Sequence, residues 1–218
     1  MHYLCGVITF LQRGGKRPLE KRVSQGRFVD LPGCLRFFWA GLAKNLQTGG
    51  IVPSQRFLVS KMIAPVPPAY QGRIMELGCG TGALTLRLAE RCPAARILAC
   101  ELNPALAEHS RRRIAMAGLR RRVTVIADSA EHLLETAIQR GWGKPDYVIS
   151  GIPLANIRAK QVVALITAIR QALAEPGMYI QFQHSLLDRK KIRACFHSLQ
   201  TVPVFLNFPP AVVYYARC

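Results

Sequence analysis

Acidic residues are scarce. Only 12 Asp+Glu stand against 30 Lys+Arg, which gives a formal net charge of +18 and a pI near 10.4. An imbalance of that size argues against an acidic binding surface and implies an anionic partner, either nucleic acid or an acidic lipid face. Long hydrophobic runs are missing too. No uncharged apolar stretch approaches the roughly 20 residues needed to cross a bilayer, so no spanning segment is expected. Met1 to Phe10 is apolar, but no positive cluster precedes it and no small-residue cleavage site follows, so a secretory signal is not expected. Cysteines number seven, odd and scattered, with no C-x-x-C pair. That disfavours a disulfide framework and a zinc site, and a reduced, cytoplasmic chain without a metal is expected. Charged residues make up 19% and hydrophobic ones 50% of 218 residues, which excludes global disorder and leaves room for one full domain.

Three stretches follow one another along the chain. Residues 1–30 form a basic lead-in, with Arg13, Lys16, Arg17, Lys21 and Arg22, read as largely unstructured. Residues 31–68 carry two helical patterns. In the first, 31–47, Leu31, Leu35, Phe38, Leu42 and Leu46 fall on one stripe at steps of three and four. The second opens at Pro53, with Phe57, Leu58 and Met62 expected to face inward, and stops at Pro65, Pro67 and Pro68. From residue 69 to 218 strands and helices alternate. Strands are expected at 73–77, 96–101, 123–127, 146–150 and 178–182, and helices at 81–91, 104–117, 130–139, 158–173 and 186–199. Two β-rich runs, 202–207 and 211–216, close the chain as a hairpin. The fold class is α/β: a seven-stranded, mostly parallel Rossmann-like sheet with helices on both faces, a closing antiparallel hairpin and an N-terminal helical extension.

The first strand ends in Glu76-Leu77-Gly78-Cys79-Gly80-Thr81-Gly82. Alternate glycines between strand and helix allow a sharp turn and close approach of a ligand. The spacing is not the G-x-G-x-x-G of dinucleotide binding, and Glu76 would repel a pyrophosphate. It suits a ligand that carries an ammonium and a sulfonium. Glu101, nineteen residues after Gly82 at the next strand end, is placed to accept from both ribose hydroxyls. Asp128, at the third, is placed to accept from an adenine amino group.

These residues together resemble the class I S-adenosylmethionine-dependent methyltransferases over about residues 70–218. The resemblance implies that S-adenosylmethionine is the cofactor, held by Glu76, Gly78, Cys79, Gly80, Glu101, Leu102, Asp128, Ser129 and Ser150. Enzymes of this class that methylate adenine carry Asn or Asp, one residue, Pro and then an aromatic after the fourth strand. The polar side chain and the aromatic ring hold a flipped base. Here the run is Ser150-Gly151-Ile152-Pro153-Leu154, which lacks both and disfavours nucleic acid. Four patches, FFWAGLAKNLQTGGIVPSQRFL, ELGCGTGALT, SGIPL and NFPPAVVYYAR, are instead similar to bacterial phospholipid N-methyltransferases that act on phosphatidylethanolamine towards phosphatidylcholine. An ornithine-lipid methylating group would look much the same. An RNA adenine methyltransferase, favoured by net charge alone, and a cofactor-binding module without turnover are the alternatives.

The resemblance implies a phospholipid substrate and a chain peripherally associated with the inner face of the cell membrane. Residues 1–60 carry nine Lys+Arg against Glu20 and Asp30, and helix 31–47 has Phe37, Phe38 and Trp39, which suits an anionic membrane surface. Ser150, with the carbonyls of Gly151 and Ile152, is expected to hold the amine. Pro153 would fix that geometry, with Leu154 and Trp39 beside the substrate. Tyr179 and Asp146 are the candidate proton acceptors, and aromatic faces such as Tyr70, Tyr179, Tyr214 or Trp39 could stabilise a methylated cation. The clusters Arg111-Arg112-Arg113 and Arg120-Arg121-Arg122 are read either as solvated faces or as phosphate contacts. His109, His132, His184 and His197 are read as surface or satisfied polar groups.

Overall fold

The computed structural model describes residues 53–207 and 209–218. The basic lead-in, helix 31–47 and Trp39 lie outside the described residues. Seven strands alternate with helices in the described part: α1 Pro53–Ile63, β1 Arg73–Leu77, α2 Ala83–Arg91, β2 Arg96–Glu101, α3 Pro104–Met116, β3 Val123–Ala127, α4 Ala130–Gln139, β4 Tyr147–Ser150, α5 Ala159–Ala172, β5 Met178–Gln183, α6 Arg189–Cys195, β6 Ser198–Val204 and β7 Ala211–Arg217. A short 3-10 turn, Leu154–Asn156, follows β4.

The sheet order is β3-β2-β1-β4-β5-β7-β6. The first five strands pair in parallel, and β7 runs antiparallel between β5 and β6. The order reverses direction between β1 and β4, which opens a crevice at their carboxyl ends, the place where open α/β sheets bind ligands. Strand side chains alternate between two cores. Ile74, Ile97, Ala99 and Ile149 pack under Leu58, Met62, Leu84, Leu88 and Ile114 of α1–α3. Met75, Leu77, Val148 and Tyr179 pack under Leu133, Val162, Leu165, Ile169 and Ile192 of α4–α6.

The helices begin where local chemistry starts them. Asn103 Oδ1 accepts from the Ala105 and Leu106 amides at 2.9 and 3.4 Å, with Pro104 as the first helical residue of α3. Ser129 Oγ accepts from the His132 amide at 3.1 Å and starts α4.

Two expectations need correction. Phe57 is exposed rather than inward-facing, while Leu58 and Met62 are buried. The helix expected over 186–199 is only Arg189–Cys195, and β6 begins at Ser198 rather than 202. Seven-position pairing of Ser198–Val204 with β7 decides this in favour of strand. Pro203 is tolerated because β6 is the sheet edge, where a missing N–H costs no ladder bond.

Leu165 is buried under β4 and β5 in the second core. Leu165→Ala is expected to lower unfolding free energy by about 2–5 kcal/mol through lost transfer and an unfilled cavity. Urea unfolding should show a lower midpoint at unchanged slope.

Candidate cofactor and acceptor site

The glycine loop is stapled to its neighbour. The amides of Gly78 and Cys79 both donate to the Cys100 carbonyl, at 3.0 and 2.9 Å. Gly82 has φ +76, and a Cβ there would lie 2.2 Å from Ser110 Oγ, so only glycine fits the turn into α2. Across the crevice, a Cβ on Gly151 would lie 3.0 Å from the Gly78 carbonyl oxygen. The β1 and β4 loops therefore meet backbone to backbone.

Two carboxylates are buried beneath this loop. Glu101 accepts from the Gly80 amide through Oε2 at 2.9 Å and from the Asn103 amide through Oε1 at 2.8 Å. Both oxygens keep a further lone pair for ribose hydroxyls. Burial raises its carboxyl, and the N–H donors of Asn103, Gly80 and Leu102 oppose that rise. Glu76 is also buried, and its Oε2 has no hydrogen-bond partner among the described residues. Burial pushes it up to about 7, with the charge of Glu101 adding to the effect. The Thr85 hydroxyl, in the first turn of α2, is buried beside it with no partner in hydrogen-bond geometry, and its proximity partly opposes that rise. An orphaned carboxylate oxygen inside a glycine cradle fits a ligand that brings positive charge.

Asp128 sits at the third strand tip, with its amide on the Glu101 carbonyl at 3.1 Å. Its carboxylate is already engaged by the Ser129 amide at 2.8 Å and by His132 Nδ1 at 2.6 Å. Ser129 spends its hydroxyl on the α4 cap. Leu102 stands exposed beside Glu101 as an apolar platform, and Cys79 is buried with Sγ 3.7 Å from Ser110 Oγ. Glu76, Glu101 and Asp128 thus occupy three adjacent strand ends, β1, β2 and β3.

The acceptor side departs further from expectation. Ser150 is fully buried, and its hydroxyl accepts from the Ile152 amide at 3.2 Å, so it serves the turn. The Ile152 carbonyl, expected to hold the amine, is saturated: Gln181 Nε2 donates to it at 2.9 Å and Gln183 Nε2 at 3.0 Å. That leaves the Gly151 carbonyl. The Ile152 side chain instead packs towards Gly78, where its Cγ1 would lie 3.2 Å from an added Cβ. Pro153 precedes the 3-10 turn and caps it. Leu154 lies in the second core rather than beside a substrate.

Tyr179 is fully buried, stacked on Phe196 with ring centroids 5.7 Å apart, and donates to Gln181 Oε1 at 2.5 Å. Burial raises its phenol far above the usual range, so it is no proton acceptor. Asp146 is not one either. It precedes β4 at the opposite end of the sheet and binds the Tyr70 hydroxyl and the Arg73 amide. Tyr70 is therefore remote from the crevice, and the Tyr214 hydroxyl is committed to the Ser185 carbonyl at 3.2 Å.

Sequence reasoning passed over Gln181 and Gln183. The signal was available: two glutamines at alternate positions of the otherwise apolar strand MYIQFQ share a face, which requires buried partners.

A family profile described as "Methyltransferase domain" matches residues 74–177. This span runs from β1 to the start of β5. The chain carries a class I S-adenosylmethionine-dependent methyltransferase domain. Its fold is shared with magnesium protoporphyrin IX methyltransferase from Synechocystis, whose structure holds S-adenosylmethionine: 16% identity, TM-score 0.65, covering 88% of this chain and 99% of that one. A methyltransferase structure from Agrobacterium tumefaciens gives 12% identity, TM-score 0.61, and 77% and 63% coverage. Among named relatives, an ornithine lipid N-methyltransferase of Singulisphaera acidiphila is 28% identical over 184 residues, 84% of this chain and 92% of that protein. Ribosomal RNA small subunit methyltransferase C of Salmonella choleraesuis is 27% identical over 112 residues, 51% of this chain. The chain matches only 30% of that protein's length.

S-adenosylmethionine is the cofactor of this domain, and the residues present fit it: the glycine cradle would take it, with Glu76 and Glu101 as the anionic groups to meet its positive charge and its ribose. The folded state holds the Glu76 proton more tightly than the unfolded chain, where a glutamate titrates near 4.5. This contribution to stability is fully present below the unfolded value and falls away as pH rises to about 7. A cationic ligand prefers the ionised form, so cofactor affinity should rise through the neutral range with release of a proton. Calorimetry between about pH 6 and 8 should show that rise, and Glu76→Gln should flatten it.

Proposed function

We propose that the protein transfers a methyl group from S-adenosylmethionine to the primary amine of a membrane aminolipid head group, working peripherally at the cytoplasmic face. The β4 loop carries this reading. Ser150-Gly151-Ile152-Pro153-Leu154 offers no aromatic face to stack a flipped base. Its one polar side chain is spent on the turn. The near full-length match to a relative named for a lipid amine supports it, whereas the match to the ribosomal RNA enzymes spans less than a third of their length. Phosphatidylethanolamine is the acceptor that the sequence resemblance favours. Ornithine lipid presents the same chemistry, a primary alkylamine on an amphiphile, and is the acceptor in that relative's name.

When bound, S-adenosylmethionine supplies an electrophilic methyl group. The chain's contribution is to orient and to handle a proton. An alkylammonium titrates near 10.4, so the amine must lose a proton before it can attack. With Tyr179 and Asp146 unavailable, His184 is the group at hand. It follows β5 directly, its ring lies edge-on to Phe182 at 5.8 Å, and Phe182 Cε1 lies 3.8 Å from the Gly151 Cβ position. Its Nδ1 lies 2.9 Å from the Pro210 carbonyl, which only accepts, so Nδ1 donates and the neutral ring has its lone pair on Nε2. The Gly151 carbonyl and the rigid Ile152-Pro153 turn position the nitrogen in line, where orientation supplies most of the rate.

Purified protein given labelled cofactor should label phosphatidylethanolamine or ornithine-lipid vesicles and leave bare ribosomal RNA unlabelled. RNA labelled without lipid would refute this acceptor class. His184→Ala should slow lipid turnover about 10²-fold at neutral pH. The deficit should shrink as the pH approaches the amine's own value, while cofactor affinity stays unchanged.

A further inference from the structure

Two loop tips at one corner of the sheet expose large apolar side chains. Leu186 and Leu187, after β5, are 58% and 76% exposed. Phe205 and Leu206, after β6, are 79% and 66% exposed. Four such residues on neighbouring tips form a patch rather than scattered exposure. Register places the tips together: Gln183 pairs with Val212, and Val204 with Ala211, so both loops leave the same end of the sheet. The His184–Pro210 contact ties one loop to the other, and Arg189 Nε reaches Thr201 Oγ1 at 3.3 Å beneath them.

The charge around the patch has one sign. Across residues 184–210 the only acid is Asp188, which is buried and paired with Lys191 at 2.5 Å. Arg189 and Lys190 stand exposed at the start of α6 next to the tips, whereas Lys191 is paired with Asp188 and Arg193 reaches away to the His197 carbonyl. Apolar tips fringed by cations match the boundary of an anionic bilayer, with acyl chains below and phosphates at its rim. An acidic protein partner would match the cations but not four exposed apolar side chains on two tips, and no described helix is long and apolar enough to cross a membrane. The corner also adjoins the acceptor side, since Gln183, one residue before His184, holds the Ile152 carbonyl.

We infer that these two tips seat the protein in the surface of an anionic phospholipid membrane, with Leu186, Leu187, Phe205 and Leu206 entering the head-group boundary and the α6 cations meeting phosphate. The inference rests on the lipid-acceptor reading and assigns it a docking surface. Docked in this way, the β4 loop faces the interface and a head group reaches Gly151 with its acyl chains still among other lipids.

The test uses the full chain and a double variant, Leu187→Asp with Phe205→Asp. Three measurements are compared: sedimentation with phosphatidylglycerol–phosphatidylethanolamine vesicles, cofactor binding by calorimetry, and methylation of a short-chain phosphatidylethanolamine dissolved as monomers. The double variant should lose at least about tenfold in vesicle partition and vesicle turnover. Cofactor affinity and turnover of the dissolved acceptor should be kept, which shows that the fold and site are intact. Arg189→Gln with Lys190→Gln should weaken partition on anionic vesicles and leave it unchanged on neutral ones. Vesicle partition unchanged by the double variant overturns the docking surface even where lipid is methylated. Wild-type protein that sediments with vesicles yet methylates neither form of lipid overturns the acceptor reading and leaves the docking surface standing. Loss of ribosomal RNA binding in the double variant, with no vesicle binding in the wild type, overturns both.

Discussion

Burying two carboxylates a few residues from a backbone turn is the constraint on which this site depends. A buried carboxylate must find donors or give up its charge. Glu101 finds donors, and because these are the amides of Gly80 and Asn103, one side chain fixes the glycine loop and the entry to α3 together. Glu76 does not, and its oxygen stays without a partner inside the cradle. The first carboxylate shapes the pocket, while the second leaves it electrostatically incomplete until a cation arrives.

The large positive charge divides on inspection of its contacts. Arg111 Nε donates to the Val125 carbonyl, Arg113 to Thr81, and Arg122 to Ala89 and Cys92. Arg91 donates to Val66. These guanidinium groups close off main-chain carbonyls at helix ends, in loops and on the free edge of β3, where extra donors are worth having. Arg112 pairs with Glu108 on the surface. Much of the arginine count is thus architecture. Arg120 and Arg121 remain exposed, as do Arg189 and Lys190. Among the described residues, the charge free of such contacts is more localised than the composition suggests.

The parallel half of the fold was legible because each strand is short, apolar and bounded by a glycine, proline or capping residue that acts locally. Bounds at 123–127 and 130–139 needed no correction. The region from 186 to 201 was not legible, because Ser198 to Thr201 become strand only by pairing with β7, a contact that no local pattern announces. The placement of Glu76, Glu101 and Asp128 at three adjacent strand ends was legible for the same reason as the strands: these acids stand at fixed distances along the chain. The acceptor side was misread where function was assigned to backbone oxygens. Only the fold reveals that Gln181 and Gln183, thirty residues further on, have already occupied the Ile152 carbonyl. Tyr179 was misread because a tyrosine on a central strand is the same letter whether it faces a pocket or a core.

The strand order has a consequence for how the molecule comes to exist. β1, β2 and β3 join through neighbours close in sequence, whereas β1 meets β4 only by bringing Ile74 beside Tyr147. Loop closure over that span is slow compared with the local pairings. During synthesis the donor half can therefore assemble around its own helices while the chain that completes the crevice is still emerging.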